Sequence, residues 1–230
     1  KEQEHNRAQM KFDPLSTGIE SIIHTTNTQL EIWTDCLIGG NDANKAYNLS
    51  YSLKFEGAFV LEAFEQSLHI LVLRHESLRA LFSSDGSFMN IYKSLKIDIS
   101  HSDVSQISLN EKEEAIKSTI STEVNTLFDL VKGPLFKIKL IKIDKTSNIV
   151  VLTHHHIIGD GLSINIIIEE LSILYSSFIE NKEANLTNSI RFSDYAKKIN
   201  SITETEEYKQ TEDFWLNLYK DSVPVVELPL

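Results

Sequence analysis

From Tyr47 to Phe55 the chain alternates: Tyr47, Leu49, Tyr51, Leu53 and Phe55 are separated by polar or small residues. Successive side chains of an extended chain point to opposite faces, so this stretch predicts a strand with one buried face, ended by Gly57. The period then changes. Leu61, Phe64, Leu68 and Leu71 recur at helical spacing and predict a helix within 58–75. The turn signal Ser84-Asp85-Gly86-Ser87 separates it from a returning strand over 88–92. Ile97-Asp98-Ile99 reads as a short strand. Ser108-Leu109-Asn110-Glu111 reads as a capping box, opening a helix with Ile116, Ile120, Val124 and Leu127 on one face. Phe136, Ile138 and Leu140 alternate with Lys137 and Lys139, which predicts a strand with one wet face. Residues 144–148 have the length of a hairpin turn, so 149–156 is the antiparallel partner of that strand. Ile164, Ile167, Ile168, Leu171, Leu174, Tyr175 and Phe178 predict a core-packed helix from Ser163. The stretch 181–188 is a polar loop. Thr203 to Glu206 is a second capping box, before a helix ending in Phe214 to Leu218. Between Leu15 and Trp33 the pattern is mixed and specifies no element. Strands and helices in this order predict an α/β chain (α+β, two layers): a mixed sheet flanked by helices.

Composition narrows the class. At 230 residues, 41% of them hydrophobic, the chain can bury one sizeable core or two small ones. Its 22 Lys and Arg against 33 Asp and Glu leave a formal charge of -11. That argues against nucleic acid and against an anionic membrane surface as partners. Cys36 is the single cysteine, so no internal disulfide forms, which fits a reducing cytoplasmic setting. No apolar run is read as long enough to span a membrane. Residues 1–14 are polar, lack a secretory core and read as a linker or expression remnant.

The chemistry concentrates in Thr153-His154-His155-His156-Ile157-Ile158-Gly159-Asp160-Gly161. An apolar run precedes it and a helical period follows, so it reads as strand, tight turn, helix. Imidazoles titrate near neutrality, so a histidine here could serve as a base. Three in a row also suggest a metal. Neighbouring strand residues point to opposite faces, however, and nothing has the spacing of a zinc site, so no metal is expected. Asp160 follows His156 by four residues and would need a cationic or hydrogen-bonding partner if buried. Gly159 and Gly161 offer backbone freedom beside it.

His155-His156-x-x-x-Asp160-Gly161 resembles the HHxxxDG signature of the condensation domains of nonribosomal peptide synthetases, in the chloramphenicol acetyltransferase-like superfamily. Other stretches resemble the same family in order. Thr28-Gln29-Leu30-Glu31-Ile32-Trp33 is similar to its first core motif, with Asn27-Thr28 in place of the usual Glu-Ala. Arg74-His75-Glu76-Ser77-Leu78-Arg79-Ala80-Leu81-Phe82 is similar to its second, RHExLRTxF, with Ala80 for Thr. Phe128-Asp129-Leu130 with Gly133-Pro134-Leu135, and then Phe192-Ser193-Asp194-Tyr195-Ala196, resemble later segments. The resemblance runs from about Leu15 to Leu230.

The resemblance implies that 15–230 is the N-terminal subdomain of a condensation domain, one chloramphenicol acetyltransferase-like half whose C-terminal partner subdomain lies elsewhere. It implies amide-bond formation between a donor acyl or peptidyl thioester and an aminoacyl acceptor. Both are delivered by carrier protein domains on phosphopantetheine arms, with no directly bound cofactor. It assigns His156 to accepting a proton from the attacking amine or positioning it. His155 is assigned to structure, Asp160 to holding the loop, and Gly161 to keeping the substrate tunnel open. Arg74 and Arg79 supply structural support, one of them as a partner for Asp160. An epimerisation domain keeps the same signature and stays open as an alternative, as does a domain that only docks carriers. Half a tunnel implies that the chain alone has at best very weak activity.

Overall fold

Residues 18–225, the part of the chain that the computed structural model describes, are organised by helices on both faces of one mixed sheet. The expected linker or remnant, 1–14, and the end of the extended strip, 226–230, lie outside the described residues. In chain order the elements are β1 (Ile19–His24), α1 (Asn27–Ala46), β2 (Asn48–Glu56) and α2 (Leu61–Arg74). A 3-10 turn (Glu76–Arg79) leads to β3 (Ala80–Phe82), β4 (Phe88–Tyr92), β5 (Ile99–Asp103), α3 (Leu109–Val124) and the hairpin β6 (Phe136–Lys142) and β7 (Ser147–His155). A second 3-10 turn (His156–Ile158) enters α4 (Gly161–Glu180), followed by α5 (Phe192–Ile202) and α6 (Glu206–Leu218).

The larger sheet has the order β2-β7-β6-β5, with β7 antiparallel to both neighbours and β5 parallel to β6. A smaller antiparallel sheet, β1-β4-β3, stands beside it. Alternation divides the hydrophobic residues of β7. Val150 and Leu152 join Ile138 and Leu140 in a core with Phe64, Leu68 and Leu71 of α2 and Ile164, Ile167, Leu171 and Leu174 of α4. Val151 points the other way, to Ile141 and Val104, and is covered by Ile116 and Ile120 of α3. The expected mixed sheet flanked by helices therefore matches the observed architecture, with α3 covering the face opposite α2 and α4.

The local departures have physical reasons. The unspecified region before Trp33 holds β1 and the start of α1, which is capped by Thr26 and broken at Gly40 (φ 62°). The strand expected over 149–156 ends one residue early, and α4 begins at Gly161 rather than Ser163. Ser108 does not close a capping box. Its hydroxyl donates to the Glu111 carboxylate at 2.6 Å and caps no backbone N–H. In the second expected box Thr205, not Thr203, caps the helix, accepting from the Tyr208 N–H at 3.2 Å. The expectation that no segment is as apolar as a membrane span also needs correction. α4 has 20 residues and a mean hydropathy of 1.5, enough by length and composition to cross a bilayer. Ile164, Ile167, Leu171 and Leu174 are buried in the core shared with α2, whereas Leu162, Ile166, Phe178 and Ile179 stay exposed, and Glu170 is only 8% exposed and ion-paired. In α6 none of the residues is buried, and Phe214, Trp215, Leu216 and Leu218 are all exposed.

Candidate functional site

The three histidines sit where β7 runs out of the sheet, and each meets a different environment. His155 is fully buried, and its Nδ1 accepts the Ile157 N–H at 3.2 Å. A ring nitrogen that accepts carries no proton, so the proton of the neutral ring is on Nε2, 3.7 Å from the Cys36 Sγ of α1. Burial, with smaller contributions from His154 and His156, pushes its pKa down to about 4. Burial also pushes the Cys36 thiol up to about 11, with the Asp35 carboxylate adding to it. The pair is thus two neutral groups, a hydrogen-bonded packing contact suited to the structural role expected of His155.

His156 is half-buried and takes the opposite tautomer. Its Nδ1 lies 2.9 Å from the Gly159 carbonyl oxygen, which can only accept, so Nδ1 holds the proton. The lone pair is then on Nε2, to which the described residues form no hydrogen bond. Its backbone N–H donates to the Tyr47 carbonyl at 2.8 Å, tying the turn to the end of β2. The next carbonyl, that of Ile157, accepts from Nε2 of the buried Gln29 side chain at 3.2 Å. Gln29, the glutamine of the first motif, therefore holds the turn that presents His156, a role the sequence pattern did not assign.

His154 is 1% exposed, and neither ring nitrogen has a hydrogen-bond partner among the described residues. Burial pushes its pKa down to about 4, although the nearby Gly159 backbone opposes the shift. A Cβ placed on Gly159 would lie 3.3 Å from His154 Nε2 and 3.2 Å from Ser163 Cβ. Gly159 is thus kept small by packing rather than by backbone freedom, since its φ of -178° suits any residue. Gly161 is less confined: a Cβ there would meet only the Tyr51 hydroxyl, at 3.9 Å.

Asp160 is exposed and satisfied locally, not buried against a cation. It is the N-cap of α4, accepting from the Ser163 N–H at 2.8 Å and the Leu162 N–H at 3.1 Å. The Ser163 hydroxyl donates to it at 2.7 Å. These donors hold its pKa below the usual carboxylate range, the Ser163 N–H contributing most. The expected arginine partner is absent among the described residues because both arginines are engaged elsewhere. Arg74 Nε sits 2.9 Å from Glu170, which also lies 2.6 Å from His75 Nε2. Arg79 pairs with Glu20 and with the Tyr92 carbonyl. Arg74 thereby links α2 to α4, and Arg79 links the second motif to the small sheet. The third charged residue of that motif, Glu76, is 4% exposed and accepts the Ser193 N–H at 2.7 Å and Arg191 Nε at 2.7 Å. It caps α5 from a distance, so the second motif holds the Phe192–Ala196 segment. Burial raises the Glu76 pKa, but the Ser193 and Arg191 donors outweigh it and hold it low.

If Asp160 acts as a cap, its charge is secondary to its acceptor oxygen. Asp160→Ala is expected to destabilise the fold by about 1 kcal/mol, whereas Asp160→Asn costs only a few tenths. Urea unfolding of the two variants checks this. An Asn variant as unstable as the Ala variant would mean that a cation partner was missed.

The geometry as a whole is one strand-to-helix turn that buries two histidines in neutral form and offers the third with a free basic nitrogen. No group of residues that could hold a metal ion occurs among the described residues, and His155 and His156 face different partners.

Comparison with known proteins bears on what this turn belongs to. Residues 22–230 match the family model described as "Condensation domain". Bacitracin synthase 1 of Bacillus licheniformis is 35% identical over 196 residues, which cover 84% of this chain and 4% of that protein. Tyrocidine synthase 3 of Brevibacillus parabrevis is 30% identical over 190 residues, 82% of this chain and 3% of that one. The chain thus spans a few per cent of the length of the curated relatives it matches. Among solved structures, the starter condensation domain of rhizomide synthetase superposes with a TM-score of 0.78 at 18% identity, over 91% of this chain and 54% of that one. The first condensation domain of the calcium-dependent antibiotic synthetase, in complex with a substrate analogue, gives 0.73 at 17%, over 92% and 52%. At those identities the likeness speaks for the fold.

Proposed function

The chain belongs to the condensation-domain family, and from that premise we propose that it is the N-terminal half of a nonribosomal peptide synthetase condensation domain that forms amide bonds. The donor is an acyl or peptidyl thioester, and the acceptor an aminoacyl thioester. Each is presented on a phosphopantetheine arm by a carrier protein domain, in a cytoplasmic synthetase, and the C-terminal subdomain completes the tunnel.

The single observation that supports this reading most is the tautomer of His156. With Nδ1–H given to the Gly159 carbonyl at 2.9 Å, Nε2 is left as an acceptor. The acceptor amine donates an N–H to it and is thereby aimed at the thioester carbonyl. The carbon–nitrogen bond forms, the carbon–sulfur bond breaks, and the donor arm leaves as a thiol. The proton lost by the amine passes to Nε2 and from there to the departing sulfur. An α-amino group is already partly unprotonated near neutrality, so much of the benefit comes from orientation. His155 keeps the turn rigid by packing, and Asp160 fixes where α4 begins. Gly161 follows the cap with no side chain, where an added Cβ would meet only the Tyr51 hydroxyl at 3.9 Å, and in this reading it keeps the substrate path open.

The reading is tested in the intact protein that contains this chain, with donor and acceptor carriers loaded and the acceptor arm analysed by mass spectrometry and by chiral separation of the released residue. An acceptor arm heavier by the donor acyl group is the expected result. Inversion of the loaded stereocentre without amide would assign epimerisation. Carrier binding with neither change would leave only a docking role.

A further inference from the structure

Tyr47 closes α1 and opens β2, and it touches both motif histidines. Its ring meets His156 edge-on, with centroids 6.4 Å apart, and lies tilted against His155 at 6.0 Å. Its carbonyl accepts the His156 backbone N–H at 2.8 Å. Its hydroxyl donates to the Asp35 carboxylate at 2.6 Å. Asp35 is the neighbour in α1 of Cys36, whose sulfur faces His155 Nε2. One turn of α1 therefore reaches both histidines, Cys36 directly and Asp35 through the Tyr47 ring.

We propose that Tyr47 is a positioning residue for His156, and that Asp35 is the anchor that sets the angle of the Tyr47 ring. This rests on the amide-forming reading above and deepens it by naming what aims the imidazole. The bond from the Tyr47 hydroxyl to Asp35 is exposed, so its contribution to folding is small. It nevertheless fixes the far end of a ring whose near edge walls one side of the His156 imidazole. The Gly159 carbonyl holds His156 at Nδ1 alone, and rotation about that one bond would swing Nε2. The ring edge blocks that rotation only while its own plane is held, and Asp35 holds it. Backbone contacts cannot replace this, because the Tyr47 carbonyl restrains the turn and not the side chain. Misplacing a reacting group by about 1 Å can cost on the order of a hundredfold in rate. A ring loosened at one end is expected to cost less.

The test compares wild type, Tyr47→Phe, Asp35→Ala and the double variant in the intact protein with loaded carriers. Each single change is expected to lower kcat for amide formation by about five- to tenfold, with KM for the acceptor carrier unchanged within about twofold. The double variant should be no slower than Tyr47→Phe, because both changes break the same bond. A kcat for Tyr47→Phe equal to that of an active wild type would overturn the positioning role and leave the amide-forming reading intact. So would multiplicative losses in the double variant. If wild type itself makes no amide, that reading fails separately. The positioning role is then decided by the crystal structure of Tyr47→Phe. A His156 ring turned from its wild-type orientation supports it, and an unmoved ring overturns it.

Discussion

Acidification from about pH 6.5 to pH 4 is expected to remove most of the stability of the fold. His154 and His155 are both almost fully inaccessible, and both have pKa values pushed down to about 4 by burial. In the unfolded chain each returns to the ordinary value near 6.5. Above that value neither state carries the proton, and the two histidines contribute nothing unfavourable. As pH falls below 6.5 the unfolded chain binds protons that the folded one refuses, so unfolding becomes more favourable until the folded groups titrate near pH 4. A shift of that size amounts to about 3 kcal/mol for each ring, fully expressed only at the acid end. Two such losses rival a typical folding free energy of about 5–15 kcal/mol. Denaturant unfolding at stepped pH should show a steep decline over this window, with these two rings contributing nearly two of the protons taken up per molecule unfolded at pH 5. His154→Leu should lower the uptake by about one. It should also add on the order of 1 kcal/mol at pH 8, because it removes a buried ring whose nitrogens have no partner. Stability that is flat from pH 6.5 to 4.5 would mean that these rings are hydrated or paired.

Loss of His156 is expected to be the most damaging single change to activity. His156→Ala removes the free Nε2 that, in the proposed reaction, both orients the amine and receives its proton. Proton transfer by a positioned side chain contributes typically about 10²–10⁴-fold, and orientation overlaps with it. Because the attacking amine is already partly unprotonated, the expected loss lies near the lower end, about 10²–10³-fold, or roughly 3–4 kcal/mol of barrier. The fold should tolerate the change. The half-buried side chain makes one hydrogen bond, to the Gly159 carbonyl, whose loss costs about 1 kcal/mol. His155→Ala should do the reverse, leaving a cavity beside Cys36 and Phe128 and lowering stability more than it lowers the intrinsic rate.

The strands and helices that could be read from the chain are those whose buried faces are mostly apolar and regularly spaced. β2, α2, the β6–β7 hairpin and α4 each bury a regular hydrophobic stripe or alternate cleanly, so their period shows. α1 did not show it, because two of its four buried residues are polar: Gln29 and Asn44 stand beside Ile32 and Cys36. Both are satisfied far along the chain, Gln29 by Ile157 and Asn44 by Phe128, and no local pattern signals such a partner. The same holds at the site. The strand-turn-helix around His156 was legible because it is local, and so were the residues of the signature. The partner of Asp160 was not. Charge complementarity pointed to Arg74 or Arg79, but Glu170 and Glu20 bind them, and the N-terminus of α4 supplies the donors that Asp160 needs. Nor does any spacing reveal that Glu76 caps α5 across more than a hundred residues, or that Tyr47 and Cys36 converge on the two histidines. The two expected capping boxes failed for different reasons: the Ser108 hydroxyl bonds the Glu111 carboxylate instead of the backbone, and the Thr203 hydroxyl donates back to the Asn200 carbonyl, leaving Thr205 to cap.

The most direct test of the central claim, that amide formation takes place at His156 Nε2, is a single-turnover measurement in the intact protein. Donor and acceptor carriers are loaded beforehand, and the appearance of the amide on the acceptor arm is timed for wild type and for His156→Ala, with folding of both verified by thermal unfolding. The account predicts product in wild type and a rate about 10²–10³-fold lower in the variant, at equal carrier binding. A folded His156→Ala protein that forms the amide at the wild-type rate would contradict it.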